Sequence, residues 1–567
     1  MDLPIHAVVL VFTISGVLGA CPGGCQCREN KILCQGRSIT EFPPLVPNST
    51  NEFYISNTNI TVLKPDDLAG CAEKLGIFIV KDTQIREVMP GTFNFTRNLA
   101  VLGFTGTEIN NLPETLFQNL RKLDNLNLNS NKFVVLRPTW FSSLAKLKSL
   151  DLSKNLIISV PEETFHPITL LENLKLSGNN ISQLSRDTFK GLRKLKTLRL
   201  NRNAIREIPV GAFDDLSILQ ELSLQDNTIT HLPADLFSQT QGLQKLFLSN
   251  NRLTYLPLGV FLNLPNLAQI SLYENKLKSL SQGVFGLMPM RELWLYDNQL
   301  TRLEDHTFSN LTQLRLLVLS RNQIRSVSPR AFTGLVELGE ISLHTNHLSS
   351  LQEGTFQGLP KLVNISLQNN FIHSLPAMFL RGQSLLGKLD LRNNSLPNLP
   401  DEILTTLSAA KEVLLADNPW RCDEDIAPLR DWLALHPTKT NLSSVVCLTP
   451  SALSDKSIAD LRDEDLKPSA MTVIPDVATT QMRRNPHTAP PKRSTAFPTS
   501  ETTPTQKQGE GSDSDPGNGV SRYMHIILIA VVCTAIITSL VICCVCWRKS
   551  RRGSRNLGHR NKNNSAI

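Results

Sequence analysis

The absences in this 567-residue sequence limit what it can do. Its 11 histidines are scattered, and none stands in an H-E-x-x-H or comparable ligand spacing. Serines and aspartates are abundant, yet none assembles into a catalytic constellation apart from the repeat pattern described below. The chain carries +8 at neutral pH, but Arg548, Lys549, Arg551, Arg552, Arg555, Arg560 and Lys562 lie together in 548–567, a stretch without a single acid. The rest is close to neutral, so the basic balance gives no ground for nucleic-acid binding. That last stretch also lacks tyrosine and is too short for a signalling domain. Residues 1–20 contain no Lys or Arg. No catalytic residue, metal or cofactor is expected, and the chain reads as a non-enzyme.

What is there is repetition. At Leu195-Lys-Thr-Leu198-Arg-Leu200-Asn-Arg-Asn203-Ala-Ile205, apolar residues occupy phrase positions 1, 4, 6 and 11, with Asn at 9. The phrase returns every 24 residues from Leu123, and the step shortens by one residue at Met290. Its ladder residue is Thr58, Thr83 and Thr107 in the first units, then Asn from Asn131 to Asn418, which makes sixteen units. This is the leucine-rich-repeat signature. The expected fold is an α/β solenoid, a horseshoe with a parallel β-sheet on its concave face, disulfide caps at both ends and one transmembrane helix. Positions 4 and 6 point into the core, while 3, 5 and 7 point outward. The buried Asn amide satisfies backbone groups where the strand turns away. Thr offers only a hydroxyl, so the first units should be less tightly pinned. A phenylalanine recurring in phase, from Phe93 to Phe379, reads as a buried spine behind the strands.

The flanks follow in order. Residues 1–20 form an apolar run ending Val17-Leu18-Gly19-Ala20, a signal peptide. In a secreted chain the cysteines of the 21–49 cap, Cys21, Cys25, Cys27 and Cys34, read as a disulfide knot. A zinc site would need thiolates kept reduced. The repeats fill 50–419. In the second cap, 420–465, Cys422 and Cys447 flank an amphipathic helix over 426–435 and form one disulfide. Cys71 is left over, either as a buried free thiol or as an intermolecular bridge. Eight N-x-S/T sequons, at Asn48, Asn59, Asn94, Asn180, Asn310, Asn364, Asn393 and Asn441, read as glycan sites. Residues 466–522, rich in Ser, Thr and Pro, read as an extended stalk.

Residues 523–547 form the membrane span, with an uncharged core at 526–546. The basic segment 548–567 is its cytoplasmic tail, which places the N-terminus outside in a type I arrangement at the plasma membrane. Cys543, Cys544 and Cys546 sit at its cytoplasmic edge, as palmitoylation sites or as ordinary small residues of a helix. Ser565-Ala566-Ile567 has the form that PDZ domains capture by strand addition.

The stretches Arg291-Glu-Leu-Trp-Leu-Tyr-Asp-Asn298, Leu317-Val-Leu-Ser-Arg-Asn-Gln-Ile324 and Asp417-Asn-Pro-Trp-Arg-Cys-Asp-Glu-Asp-Ile426 resemble a family of vertebrate cell-surface repeat proteins. That family takes in leucine-rich repeat-containing protein 15, the large non-catalytic subunit of carboxypeptidase N and platelet glycoprotein V. The resemblance implies adhesion to extracellular matrix and a role in cell migration, without enzymatic activity. The alternative it leaves open is a scaffold that stabilises or localises a membrane or plasma protein in cis.

The outward strand positions give a candidate ligand site. Most are polar, such as Lys175, Arg199, Ser223 and Asp390, but four adjacent units present Phe247, then Tyr273, then Trp294 with Tyr296, then Leu316 with Val318. With strands roughly 4.8 Å apart, these side chains are expected to form one continuous ridge. The competing reading is lateral packing that stiffens the sheet. A basic cluster, Lys148, Lys154, Lys175, Lys196, Arg199 and Arg202, reads either as a steering surface for an acidic ligand or as a solvated face. Glycans on Asn364 and Asn393 would cover the later units and push the ligand toward earlier ones.

Overall fold

The computed structural model describes residues 21–44 and 46–467. The signal peptide, the stalk beyond 467, the span, Cys543, Cys544, Cys546, the tail and its PDZ-type end lie outside the described residues. Among the described residues no helix is long and apolar enough to cross a membrane.

Eighteen strands form one sheet, and all but the first, Cys25–Arg28, run parallel to their neighbours. The cap strand Lys31–Gln35 pairs with Glu52–Ser56, the first repeat strand, and the ladder runs on one repeat at a time to Glu412–Leu414. The register never slips: Leu174 faces Leu198, Leu198 faces Leu222, and Leu222 faces Leu246. These position-4 leucines are fully buried, as are the position-6 leucines Leu176, Leu200 and Leu224. Each unit thus buries its apolar face on the next, which is why no single unit folds alone.

The asparagine ladder does the work its amide chemistry suggests. Asn227 Nδ2 donates to Leu200 O and Leu224 O, both at 3.0 Å, while its Oδ1 accepts from Ile205 N at 3.1 Å. The same three bonds recur from Asn155 to Asn418. At the threonine end the side-chain pin is weaker. Thr58 Oγ1 is buried with no partner among the described residues, and Thr83 Oγ1 only accepts from Ile85 N at 3.4 Å. The expectation of looser units nevertheless holds for side chains alone. There the strands themselves lengthen to five residues, as in Ile77–Lys81 and Val101–Thr105, against three in Asn173–Lys175. Additional main-chain pairing offsets the missing amide.

The turn after each strand uses a feature that the periodicity does not announce. Position 8 is left-handed in every unit, from Asn57 (φ +52°) and Asp82 to Asp417 (φ +58°), with Gly106 and Gly178 among them. Asn, Asp and Gly adopt this conformation at least cost. Behind the sheet the phenylalanines stack as a spine, Phe165 through Phe356, with ring centroids 5.9–6.5 Å apart.

Both ends of the sheet carry a cap, which covers the apolar cross-section of the stack. At the first, the Cys25–Arg28 hairpin strand covers the edge, and disulfides join Cys21 to Cys27 and Cys25 to Cys34. At the other, helix α1 (Asp401–Leu407) replaces the usual turn of the last repeat. Helix α2 (Ala427–Leu435) buries Leu429, Trp432 and Leu433, and Cys422 is bonded to Cys447. Trp432 ties α2 to α1, its Nε1 donating to Ser408 Oγ at 2.9 Å, and Lys439, beyond α2, donates from Nζ to Ser408 O at 2.6 Å. Cys71 is a buried free thiol, pushed up to about 11 by that burial. Burial leaves it no route to a second chain.

Candidate protein-interaction face

Positions 3, 5 and 7 of every strand look out from the sheet, and their chemistry defines the face. In the middle units the face and its rims, at positions 2 and 8, carry a lattice of ion pairs. Lys175 meets Asp151 at 3.7 Å, Lys196 meets Glu172 at 2.7 Å, Arg199 meets Glu221 at 2.9 Å and Arg202 meets Asp226 at 3.4 Å. Lys196 holds the Glu172 carboxyl below the usual range. Four of the six residues in the basic cluster therefore face acids one repeat away, which favours the solvated-face reading over a bare steering surface. Each such pair stabilises by no more than about 1 kcal/mol.

The aromatic units follow. Tyr273 and Tyr296 stack with centroids 4.5 Å apart and planes 7° from parallel, and Trp294 meets Tyr296 edge-on at 6.4 Å. Trp294 Nε1 donates to Glu292 Oε2 at 3.3 Å, so its polar atom is satisfied at the surface. Burial, then the neighbouring Tyr273, Glu274 and Asp297, push the Tyr296 phenol up to about 12. Register sets Trp294 directly beside Val318, and Leu316 beside Glu292. All six predicted side chains are half-buried.

The ridge is shorter than four continuous units. Ser271 is paired between Phe247 and Trp294 and is itself buried, so Phe247 stands apart across a serine. Tyr273, Trp294, Tyr296, Leu316 and Val318 come together on three consecutive strands. The reason is register: Phe247 and Trp294 share position 5 but are two strands apart. Beyond the ridge, His344 occupies position 7, its pKa lowered by burial and then by Arg321.

A second apolar strip was not legible in the pattern of outward residues. Tyr54, Ile77, Ile79 and Val101 are half-buried on the first repeat strands. Ile79 lies over Gly103, where an added Cβ would come within 2.9 Å of its Cδ1. The signal was available in the five-residue strands Ile77–Lys81 and Val101–Thr105, whose apolar residues run without alternation.

Among the described residues, two open hollows of about 320 and 230 Å³ lie behind the sheet, lined by residues such as His306 and Arg330 or Asp235 and Asn263. No group of three or more His, Cys, Asp or Glu among the described residues is placed to hold a metal ion. Of the sequon asparagines, Asn48, Asn59, Asn180, Asn393 and Asn441 are exposed, and Asn94, Asn310 and Asn364 half-buried. Asn364 opens the strand Asn364–Ser366, and Asn393 occupies a left-handed position 8.

Comparison with known proteins agrees with this architecture. A family model described as "Leucine rich repeat" matches 121–181, 169–229, 193–253, 218–277, 241–290, 288–348 and 337–396. The chain is 37% identical to the platelet glycoprotein Ib beta chain of Rattus norvegicus over 65 residues, 12% of this chain and 32% of that one. It is 46% identical to leucine-rich repeat-containing protein 15 of Homo sapiens over 43 residues, 7% of each. The matched stretches thus span a third of these relatives or less. Among solved structures, one of the Drosophila Toll–Spatzle complex aligns with a TM-score of 0.50 and 21% identity, covering 78% of this chain and 72% of that one. At that identity the likeness is one of fold.

Proposed function

We propose that this leucine-rich-repeat protein is a single-pass type I receptor or adhesion protein of the cell surface, which holds an extracellular-matrix or other protein ligand on its sheet face. The observation that carries the reading is the cluster of Tyr273, Trp294, Tyr296, Leu316 and Val318, the aromatic part of a face that is ion-paired in the middle units. Aromatic rings fixed against one another lose little freedom when a partner docks, and Trp and Tyr are the favoured anchors of interfaces. The broad sheet and the open hollows behind it suit a protein surface rather than a small substrate. The curated relatives include proteins named as platelet glycoprotein chains and as leucine-rich repeat-containing proteins, and the Toll structure is of a complex with a protein partner. The orientation rests on the apolar segment 526–546 and the basic residues after it.

The test is the double substitution Trp294→Ala with Tyr296→Ala in the secreted ectodomain, assayed on plates coated with a panel of matrix proteins. Binding should weaken by about 2 kcal/mol or more. Loss of the Tyr273 stack should cost about 1 kcal/mol of stability, too little to unfold the solenoid. Unchanged binding by the folded double mutant would make the cluster a purely structural brace. Copurification with one membrane partner, without matrix binding, would favour the cis scaffold instead.

A further inference from the structure

Some of the most exposed apolar side chains of the repeats gather behind the sheet, beside the repeat that is one residue short. Leu258 is 67%, Leu262 54% and Leu287 73% exposed. They are neighbours across two units. A Cβ on Gly283 would lie 3.1 Å from Leu258 Cδ1, and one on Gly286 would lie 3.0 Å from Leu262 Cα, with Leu287 next in the chain. Phe261 and Phe285 are bridged beside them. Soluble surfaces seldom leave such a patch uncovered.

Asn310 occupies the same phrase position as Leu287, one repeat on. Its Nδ2 donates at 2.9 Å to the carbonyl of Phe285, two residues before Leu287. Asn310-Leu311-Thr312 is a sequon, and Thr312 is exposed. We propose that an N-linked glycan on Asn310 is the cover of this patch, its first sugars lying over Leu287 and Leu262. Glycosylation joins Nδ2 to the anomeric carbon of an oligosaccharide, breaks that carbon's bond to a lipid-linked diphosphate and releases one amide proton. The second N–H remains, so the bond to Phe285 O survives and aims the sugar along the preceding unit. Carbohydrate C–H faces then contact the leucines while the hydroxyls stay in water. A second sequon asparagine, the exposed Asn180, also lies next to exposed apolar residues, with its backbone N–H donating at 2.8 Å to Ile157 O between Leu156 and Ile158. The inference rests on the secretory reading above.

The experiment labels the full chain on intact cells with a bulky, impermeant maleimide. Leu287→Cys reports on the patch, and Leu385→Cys, at an exposed leucine (54%) whose own unit carries no sequon on that side, serves as reference. Thr312→Ala removes the sequon while keeping Asn310 and its hydrogen bond, and Thr312→Ser restores it. Thr61→Ala removes the Asn59 sequon as a control. Endoglycosidase trimming of the folded Leu287→Cys protein makes the same comparison without touching residue 312. The expected result is loss of one glycan with Thr312→Ala and a rise of several-fold in labelling at Leu287→Cys, with none at Leu385→Cys. Equal labelling with and without the glycan would overturn the proposal. So would a chain glycosylated at Asn59 but not at Asn310. A chain carrying no glycan at any sequon would overturn it together with the secretory reading.

Discussion

Asparagine at position 9 and the left-handed residue before it are where single side chains decide the fold. Asn251 Nδ2 donates to Leu224 O at 3.0 Å and Leu248 O at 3.1 Å, and its Oδ1 accepts from Ile229 N at 3.0 Å. Asn251→Ala leaves those buried backbone groups without partners, at about 1–3 kcal/mol each. A total of about 3 kcal/mol or more is expected, read as a shift in the urea midpoint of the secreted ectodomain. Asn251→Thr should fall between, because the hydroxyl of Thr107 retains a bond to the Asn131 side chain and accepts from Ile109 N at 3.4 Å. An alanine variant as stable as wild type would mean that water reaches these carbonyls. Position 9 was legible because its residue type is nearly invariant from unit to unit. Position 8 was not, since Lys154, Arg202, Glu274 and Arg321 adopt the same positive φ as Asn57 and Asp82. Their backbone is forced by the turn between strand and ladder residue, whatever the side chain prefers.

At the scale of elements, the caps differ in how they close the stack. The first is a hairpin crossed by two short disulfide loops. The second is a small helical body around the buried Trp420 and Trp432, and Val413 N donates to Lys439 O to finish the sheet edge. Cys422 and Cys447 are 25 residues apart, a loop whose cross-link contributes about 3 kcal/mol. Cys422→Ser with Cys447→Ser should therefore open this cap first. Tryptophan fluorescence is expected to shift to longer wavelength at lower denaturant than the loss of repeat structure seen by circular dichroism. Coincident transitions would show that the cap and the last repeats melt as one unit. The sequence marked an amphipathic helix over 426–435, and a 3₁₀ turn at Glu424–Ile426 leading into α2 fills that place. Helix α1 went unmarked because its residues continue the repeat in phase, with Ile403, Leu404 and Leu407 buried as core residues would be in any conformation.

For the molecule as a whole, the two surfaces of the solenoid differ in chemistry. Among the described residues the sheet face presents an apolar strip on the first repeats, ion pairs in the middle and an aromatic cluster beyond, whereas the back carries the Asn310 sequon beside exposed leucines. Which way this body faces relative to a membrane depends on residues beyond 467. If 548–567 is cytoplasmic, an epitope tag placed after Ile567 will stain only in permeabilised cells, while an antibody to the repeats stains intact ones. Staining of the tag on intact cells would reverse the assignment.

The sequence by itself determined the period, the parallel strand ladder, the core positions, the asparagine bonds and the choice of cysteines for the caps. These depend on contacts within one repeat or on its strict recurrence, so they can be read along the chain. Tertiary structure alone decided which outward side chains meet. Ser271 interrupts the ridge, acids one repeat away pair with four residues of the basic cluster, and Ile79 lies over Gly103. Lateral neighbours are some 24 residues apart, and whether they touch is set by strand register and side-chain rotamer. No local pattern in the chain encodes either.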